Sequence, residues 1–247
     1  MRRRFFIHDF DSSTARLTGD PAHHLARVLR ASPGQLYELS DGSSLWLARV
    51  DRVSKSAVVF SLVEQLPVTP DPLHLTLLIS IVKFDRFEWA LEKATELGVA
   101  EIVPLTATRS EKALVTAAGK RAARWQKILI ESAQQSRRLR PPILHAASRP
   151  SDLFRRVRAQ LAAPLARRSL NILLSERLSA PALRSILEGK GTTGAILAIG
   201  PEGGWTDEEF ASAISADFRE VSLGPTILRT ETAVIAALSV LRFALPP

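Results

Sequence analysis

The sequence contains no cysteine, and this absence excludes several kinds of chemistry. Without thiols the chain can form no disulfide, no thiolate metal site and no cysteine nucleophile. The five histidines show none of the spacings typical of metal ligands, such as His-Glu-x-x-His, so we expect no metal cofactor. The lack of cysteine also fits a reducing compartment.

Long apolar runs are missing as well. The stretches Leu73–Val82 and Ala233–Leu241 are among the longest, and both are shorter than the ~18 residues that a membrane-spanning helix needs. The amino-terminal arginines followed by Phe5-Phe6-Ile7 briefly resemble an export signal, but Asp9 and Asp11 interrupt the apolar segment. We therefore expect a cytoplasmic protein with no export signal.

Basic residues, by contrast, are in excess. The chain has 33 Lys and Arg against 25 Asp and Glu, a formal net charge of +8. Such an excess attracts polyanions and speeds their capture, so nucleic acid is the leading class of partner. Charge that serves solubility alone is the alternative.

Three prolines within six residues, Pro67, Pro70 and Pro72, indicate a domain boundary. Before them, short β-prone runs at 36–39, 45–50 and 57–63 surround the turn dipeptide Asp41-Gly42, and one helix is expected at Pro21–Arg30. We predict a small β-rich domain over residues 1–70 and a larger domain over 71–247.

In the larger domain, apolar strand-like runs alternate with amphipathic helical stretches, a pattern typical of a parallel sheet covered by helices. The predicted strands are 73–82, 102–105, 171–174, 195–199 and 221–223. The predicted helices are 84–97, 119–139, 180–189, 206–216 and 231–243. The fold class is therefore α/β.

Three of these strands end in turns that contain glycine or serine. In open α/β sheets, ligands bind beyond the carboxyl ends of the strands, and glycine lets a ligand approach the main chain. The turns are Leu174-Ser175, Ile199 with Gly200–Gly204, and Leu223-Gly224-Pro225. We expect main-chain groups there to hold a ring-shaped ligand such as adenine, although a plain tight turn would also explain Gly200–Gly204.

Two helix starts follow these turns. Thr206-Asp207-Glu208-Glu209 matches a capping box, so we expect it to be structural. At the other, Arg229, Thr230, Glu231 and Thr232 stand between an apolar strand and an apolar helix, which is costly for polar residues without partners. Capping by Thr230 and a helix-dipole contact of Glu231 would explain those two residues and leave Arg229 unexplained.

At these turns the sequence resembles the RsmE family, the 16S rRNA (uracil-N3)-methyltransferases of the SPOUT class. The matching segments are 200–204, 223–225 and 228–233, with 92–98, 124–128, 134–137, His24, 27–30 and 41–42. The likeness covers nearly the whole chain, and the order and spacing of the segments are specific. One residue departs from the pattern, since the family usually has arginine at the position of Thr226.

The resemblance implies a fold, a cofactor and partners. The fold is a SPOUT-type parallel sheet with a C-terminal trefoil knot, and residues 1–70 form a PUA-like β-barrel that binds RNA. The cofactor is S-adenosylmethionine, and the partner is 16S rRNA or the small ribosomal subunit. A homodimer with the pocket near the subunit interface is also implied. The implied cofactor-binding residues are Leu174, Ser175, Ile199, Gly200, Pro201, Glu202, Gly203, Gly204, Leu223, Gly224, Leu228, Arg229, Thr230, Thr232 and Ala233.

The reaction assigns roles to three residues. Uracil N3 must lose its proton before it can accept a methyl group, and we expect Arg229 to stabilise the negative charge that develops. Glu202 or Glu231 could accept the proton, and either could equally be structural.

RNA contact is expected from basic and polar residues in two places. They are Arg2, Arg3, Arg4, His24, Arg27 and Arg30 in the small domain, with Gln135, Arg137, Arg138 and Arg140 at the end of the long helix. For the second group, cations that stabilise a helix C-terminus are the alternative.

Two other functions stay open. An enzyme with the same fold and cofactor could methylate transfer RNA. A non-catalytic, ribosome-associated RNA-binding dimer would bind no S-adenosylmethionine.

Overall fold

A computed structural model describes residues 3–160, 169–187 and 192–245. The chain divides into two compact units. The N-terminal unit comprises Met1–Pro70 with Ala133–Pro141, and the C-terminal unit comprises Asp71–Ser132 with Pro142–Pro247. The assignment of 133–141 to the first unit was not expected from the sequence pattern. Arg2, a predicted RNA contact, lies outside the described residues.

The N-terminal unit is built on a six-stranded sheet. Its strands are β1 (Arg4–Phe6), β2 (Asp9–Phe10), β3 (Thr14–Thr18), β4 (Leu36–Ser40), β5 (Leu45–Val53) and β6 (Ala57–Leu66). They lie in the order β1-β4-β5-β6-β3-β2, antiparallel except for the β1–β4 pair. The three predicted strands are confirmed, and β1 to β3 escaped prediction because they are short and carry charged residues.

Local turn chemistry shapes this sheet. At the β4–β5 turn, Asp41 accepts hydrogen bonds from the main-chain N–H groups of Ser43 and Ser44, and Gly42 has φ +92°. Helix α1 (Gly19–His23) continues as a π-helical turn through Val28, two residues ahead of the predicted helix at both ends. Arg30 has φ +51°, a left-handed conformation in which a helix cannot continue.

The C-terminal unit contains a second six-stranded sheet, in which every pair is parallel. Its strands are β7 (His74–Ser80), β8 (Glu101–Leu105), β9 (Ile143–Leu144), β10 (Ser169–Leu174), β11 (Gly194–Ile199) and β12 (Arg219–Val221), in the order β12-β10-β11-β7-β8-β9. The predicted α/β class with a parallel sheet is confirmed. Because parallel strands share a direction, their carboxyl ends meet at one edge.

Helices cover both faces of this sheet. They are α2 (Phe84–Glu96), α3 (Lys112–Ala118), α4 (Ala122–Gln135), α5 (Pro150–Gln160), α6 (Asp207–Ser215) and α7 (Thr230–Ala244), with 3-10 turns at Gly119–Arg121 and Leu183–Ile186. One core cluster packs Phe87, Trp125 and Leu238 from α2, α4 and α7. A second packs Phe154 and Phe218 with Trp205. Within the described residues, no helix is long and apolar enough to cross a bilayer.

Three helix predictions need correction. Within the predicted helix 119–139, Gly119–Arg121 form a 3-10 turn and α4 covers only Ala122–Gln135, while α3 lies wholly before the predicted start. The left-handed φ of Arg137, +56°, prevents α4 from continuing. Of the predicted helix 180–189, the described part holds only the 3-10 turn. Helix α5 was not predicted, and it begins at Pro150, a residue favoured in a first helical turn.

Gly98 ends α2 as expected, and the structure adds a second reason for glycine. Its φ is +83°, and a Cβ there would lie 1.8 Å from Nη2 of Arg242. The Arg242 guanidinium donates hydrogen bonds to the carbonyls of Leu97 (2.8 Å) and Gly98 (2.7 Å) and pairs with Asp71. Arginine thus satisfies carbonyl groups that the helix end leaves without partners.

Candidate active site

A cavity of about 1120 Å³ opens at the carboxyl ends of β10, β11 and β12. The turns after all three strands line it, so the structure brings the predicted segments together. The turns centred on Glu202 and Arg229 follow two strands that are not neighbours in the sheet. Strands β11 and β12 lie on either side of β10, whose own turn completes the wall.

Most of the predicted cofactor-binding residues line this cavity. They are Leu174, Ser175, Ile199, Gly200, Pro201, Glu202, Gly204, Leu223, Gly224, Leu228, Arg229, Thr230 and Ala233. Gly203, Glu231 and Thr232 are not among its lining residues. Thr232 is exposed on α7, and Glu231 is buried. The Gly203 carbonyl accepts a hydrogen bond from Arg109 Nη1 at 2.9 Å, so this glycine helps to hold the turn.

Trp205 ties the turn after β11 to the end of β10. Its buried indole Nε1 donates a hydrogen bond to the Leu174 carbonyl at 3.0 Å. A Cβ on Gly200 would lie 3.1 Å from the Trp205 ring, tighter than ordinary contact. Glycine at 200 therefore lets the main chain pass over the indole, and the turn is rigidly placed against its neighbour.

The predicted capping box at the start of α6 is confirmed. Thr206 and Glu209 exchange hydrogen bonds between side chain and main chain. The other oxygen of Glu209 accepts hydrogen bonds from the N–H and the hydroxyl of Thr108 (2.8 and 3.0 Å), in the loop after β8. The box thus anchors the floor of the site to a further strand end.

Helix α7 begins one residue earlier than the capping prediction required. Arg229 occupies the N-cap position, and its carbonyl accepts the N–H of Ala233 at 2.8 Å. Thr230 is therefore in the first turn, buried, and the prediction that it caps the helix is wrong. Glu231 does lie in the first turn, where the helix dipole favours an anion.

The Arg229 side chain is exposed, lines the cavity and forms no ion pair with any residue that the structure describes. An arginine cannot lose its charge at neutral pH, so this guanidinium is available to an anion.

Three further arginines line the cavity and were missed by the sequence analysis: Arg86, Arg109 and Arg177. Arg86 pairs with Glu202, and its Nε lies 3.9 Å from Oε1 of Glu231. Arg109 donates to the carbonyls of Gly203 and Trp205.

Arg177 lies over the Phe210 ring, 3.9 Å from its centroid, and pairs with Asp207 at 3.1 Å. All three arginines follow carboxyl ends of strands. The expectation that ligands bind beyond the carboxyl ends of the strands, which led to the glycine turns, could therefore also have found these arginines.

The lining suits a ligand that is part ring and part charged chain. Apolar side chains of Leu174, Ile199, Leu223 and Leu228 offer a slot for a flat ring, while Glu176 and Glu202 are anions that favour a cationic group. The cavity volume lies close to the upper end of the roughly 300–1,000 Å³ of ordinary small-molecule pockets, which is room enough for one ligand of this kind. These residues fit S-adenosylmethionine. No cluster of acidic or histidine side chains in the described part of the chain could hold a metal ion.

Comparison with known proteins identifies the family. A model of the RNA methyltransferase domain matches residues 69–242. A protein of Synechocystis named ribosomal RNA small subunit methyltransferase E is 34% identical over 92% of this chain and 72% of its own length. This chain belongs to the ribosomal RNA small subunit methyltransferase E family. The Bacillus subtilis member is 30% identical over 94% of this chain and 91% of its own.

Two solved structures of similar proteins contain the methyl donor. The Neisseria gonorrhoeae ribosomal RNA small subunit methyltransferase E, bound to S-adenosylmethionine, is 30% identical with a TM-score of 0.86 and covers 99% of this chain and 98% of its own. A Legionella pneumophila methyltransferase, also with S-adenosylmethionine, is 30% identical with a TM-score of 0.85 over the same shares. The family fold thus extends over nearly the whole chain.

The predicted RNA-contacting residues are all placed in the N-terminal unit by the structure, apart from Arg2. Arg3, His24, Arg27 and Arg30 are exposed in its first segment, and Gln135, Arg137 and Arg140 are exposed in its second, with Arg138 half-buried. The three arginines of the second group follow the end of α4, whose last residue is Gln135, and none of them lies in its last turn. A helix-dipole role therefore explains them poorly.

Arg4 requires a correction. Its side chain is only 10% exposed and pairs with Glu38 at 2.8 Å, and its Nη1 donates to the Arg137 carbonyl. The Ser40 hydroxyl likewise donates to the Leu139 carbonyl at 2.6 Å. Arg4 therefore holds the segment 133–141 to the sheet of its own unit and is not available to RNA.

Proposed function

We propose that this protein transfers a methyl group from S-adenosylmethionine to N3 of a uridine in the 16S rRNA of the small ribosomal subunit. The observation that carries the proposal is the cavity itself. In a chain of this family, the turns at 174–175, 199–204 and 223–230 form one wall, and Arg229, whose guanidinium has no ion-pair partner in the described part of the chain, lines the space they enclose. The relatives are named ribosomal RNA small subunit methyltransferase E, and we take the small-subunit RNA as the substrate from this name.

S-adenosylmethionine, when bound, supplies a methyl group activated by its positive sulfonium. Leu174, Ile199, Leu223 and Leu228 would hold its ring, and the main chain of 199–204 would contact the polar edge. Glycine at 200 lets this main chain pass over the Trp205 ring, and glycine at 204 leaves room for the Glu176 carboxylate. The rigid placement of the turns lowers the entropic cost of aligning two reactants.

The acceptor must lose the proton on N3. We assign the role of proton acceptor to the carboxylate of Glu202, which lines the cavity. Glu231 is not assigned this role, because it is buried outside the cavity. Arg229 then stabilises the negative charge left on the uracil ring. Both groups follow the same edge of the sheet, so one bound base can meet them together.

We further propose that residues 1–70 form a PUA-like β-barrel and that residues 71–247 form a SPOUT methyltransferase domain with a C-terminal trefoil knot. The parallel sheet and the fold of the relatives support this assignment. RNA is bound by Arg2, Arg3, His24, Arg27, Arg30, Gln135, Arg137, Arg138 and Arg140. Because ribosome assembly takes place in the cytoplasm, the protein acts there.

A homodimer completes the proposal. Within the C-terminal unit, α2 packs against α7, and three large apolar side chains on these helices are open to solvent: Trp89, Val240 and Phe243, the last 93% exposed. Exposed apolar groups of this size are typical of protein interfaces. A second copy of the chain that covers α2 and α7 would bury them.

The test is methyl transfer in vitro, with labelled S-adenosylmethionine and small subunits, naked 16S rRNA or transfer RNA as separate acceptors. Mass spectrometry of the digested RNA should show 3-methyluridine in the ribosomal samples alone. Methylation of transfer RNA instead would favour the alternative enzyme. Failure to bind S-adenosylmethionine by calorimetry would favour a non-catalytic RNA-binding protein.

A further inference from the structure

Arg86 lies at a position that is electrostatically unfavourable for an arginine. It is in the first turn of α2, where the helix dipole disfavours a cation. Its side chain is nevertheless only 23% exposed and lines the cavity. Two carboxylates from different elements compensate: Glu202, from the turn after β11, and Glu231, from the first turn of α7.

Glu231 is the buried end of this arrangement. The residue is 6% exposed, its Oε1 lies 3.9 Å from Arg86 Nε, and its Oε2 has no hydrogen-bond partner among the described residues. A carboxylate so poorly solvated is stabilised by a nearby cation and by the helix dipole. Glu231 therefore anchors Arg86 without touching a ligand in the cavity.

Glu202 is the solvent-facing end. Its side chain is half exposed, lines the cavity and forms an ion pair with Arg86. An exposed pair of this kind contributes little to stability by itself. The ion pair instead fixes an orientation. Because Glu231 holds the Arg86 guanidinium in place, Arg86 in turn sets the direction of the Glu202 carboxylate.

We propose that Arg86 is a positioning residue for the reaction, which holds Glu202 and the turn 200–204 against the start of α7. The role rests on the proposed function, since Glu202 is the group assigned to accept the proton. Glu231 acts through Arg86 and belongs to the same device. These ion pairs link α2, the turn after β11 and α7. They therefore fix the distance between the turn 200–204 and the start of α7.

The first experiment needs no cofactor and no RNA. Hydrogen exchange of the amides in 200–204 is measured for the whole chain and for Arg86→Gln, Arg86→Lys and Glu231→Gln. We expect about tenfold faster exchange in Arg86→Gln and in Glu231→Gln. The increase should be smaller in Arg86→Lys, because lysine keeps the positive charge but lacks the several N–H donors of the planar guanidinium. Arg155→Gln is the matched control, because Arg155 is an exposed arginine on α5 that pairs with Asp152 outside the cavity. Unchanged exchange in Arg86→Gln would overturn the proposal.

The second experiment is a double-mutant cycle on single-turnover methyl transfer at saturating donor and RNA. Arg86→Gln and Glu202→Gln should each lower the rate, by about 10- to 100-fold for Arg86→Gln. The double variant should be no slower than the slower single variant, since both changes break one device. Effects that multiply, or an Arg86→Gln rate within about twofold of the wild type, would contradict the role. Melting temperatures separate positioning from general unfolding.

The two proposals fail in different ways. A wild-type chain that methylates no RNA would refute the proposed function, while hydrogen exchange and the calorimetric Kd for S-adenosylmethionine would still test Arg86. In that case the Kd should rise in Arg86→Gln and Glu202→Gln and rise no further in the double variant. A wild-type chain that methylates, with variants that exchange and react normally, would refute the role of Arg86 alone.

Discussion

The two edges of the parallel sheet in the C-terminal unit use charged residues in opposite ways. At the carboxyl edge, Arg229 lines the cavity and has no ion-pair partner among the described residues. Near the amino edge, Glu101 of β8 accepts hydrogen bonds on both carboxylate oxygens, from His74 (2.9 Å) and His145 (2.7 Å). The carboxyl edge thus leaves the Arg229 cation available to a ligand, whereas the amino edge satisfies the Glu101 carboxylate internally.

One sheet thus places groups that serve function at its carboxyl edge and groups that serve stability at its amino edge. Unsatisfied groups cost free energy, and they persist where a ligand can satisfy them. The amino edge adds Arg242, which joins Asp71 to the end of α2. Substitutions at one edge should therefore change the reaction, and substitutions at the other should change the melting temperature.

The largest effect is expected from Arg229→Ala. The single-turnover rate of methyl transfer should fall by about 100- to 1,000-fold, because the charge on the uracil would lose its stabilising cation. The calorimetric Kd for S-adenosylmethionine and the melting temperature should change little. An unchanged rate would remove Arg229 from the mechanism and weaken the contrast between the edges.

Gly98→Ala tests the amino edge. The left-handed conformation costs a residue with a Cβ about 1–2 kcal/mol, and the methyl group would also displace Arg242 from its carbonyl partners. We expect the melting temperature to fall by roughly 5 °C or more, measured by calorimetry, with the methyl-transfer rate at 25 °C preserved. Gly119→Ala is the control, because its φ is helical and no atom lies within 4 Å of the added Cβ. A drop as large in the control would contradict this reasoning.

Glu101→Gln should flatten the pH dependence of stability. Burial opposes the charge of Glu101, but hydrogen bonds from His145 and His74 outweigh it and hold the pKa of this carboxyl below its ordinary value of 4.5. The stabilisation is therefore complete above that value and is lost as pH falls through the lower folded-state pKa.

Melting temperatures of wild type and Glu101→Gln should accordingly differ at pH 7 and converge as the pH falls below 4.5 and through the lowered folded-state pKa. Glu111→Gln, an exposed glutamate with no ion pair among the described residues, should leave the wild-type profile in place. A constant difference between wild type and Glu101→Gln across the pH range would argue against the hydrogen-bonded role of Glu101.

The smallest effect is expected from Thr226→Arg, which places at the carboxyl edge the residue that is usual in the family. Thr226 is exposed and lines the cavity, so a new cation there can meet a phosphate without strain. RNA affinity should rise by about two- to fivefold, and the slope of log K against log salt should steepen by about one. A salt slope identical to that of the wild type would show that no phosphate is reached.

Several site residues could be predicted because their backbone chemistry is local. Gly200–Gly204 and the capping box at Thr206 follow directly from turn and cap preferences. Arg86 was missed because it stands within an amphipathic helix, where an arginine on the polar side is ordinary. Glu231 was predicted as a helix-dipole contact or a proton acceptor, since a one-dimensional pattern does not show that a carboxylate is buried beside a cation.

By itself, the amino-acid sequence determined the alternation of strands and helices, the glycine-bearing turns and the basic character of the chain, because periodicity and turn preference act over a few residues. The tertiary structure decided which turns meet, since the order β12-β10-β11 brings three distant segments to one edge. It also decided that 133–141 belongs to the N-terminal unit and that Arg4 is an internal partner. Both outcomes depend on contacts between residues far apart along the chain, 34 positions for Arg4 with Glu38 and 99 for Ser40 with Leu139, and such contacts leave no local pattern.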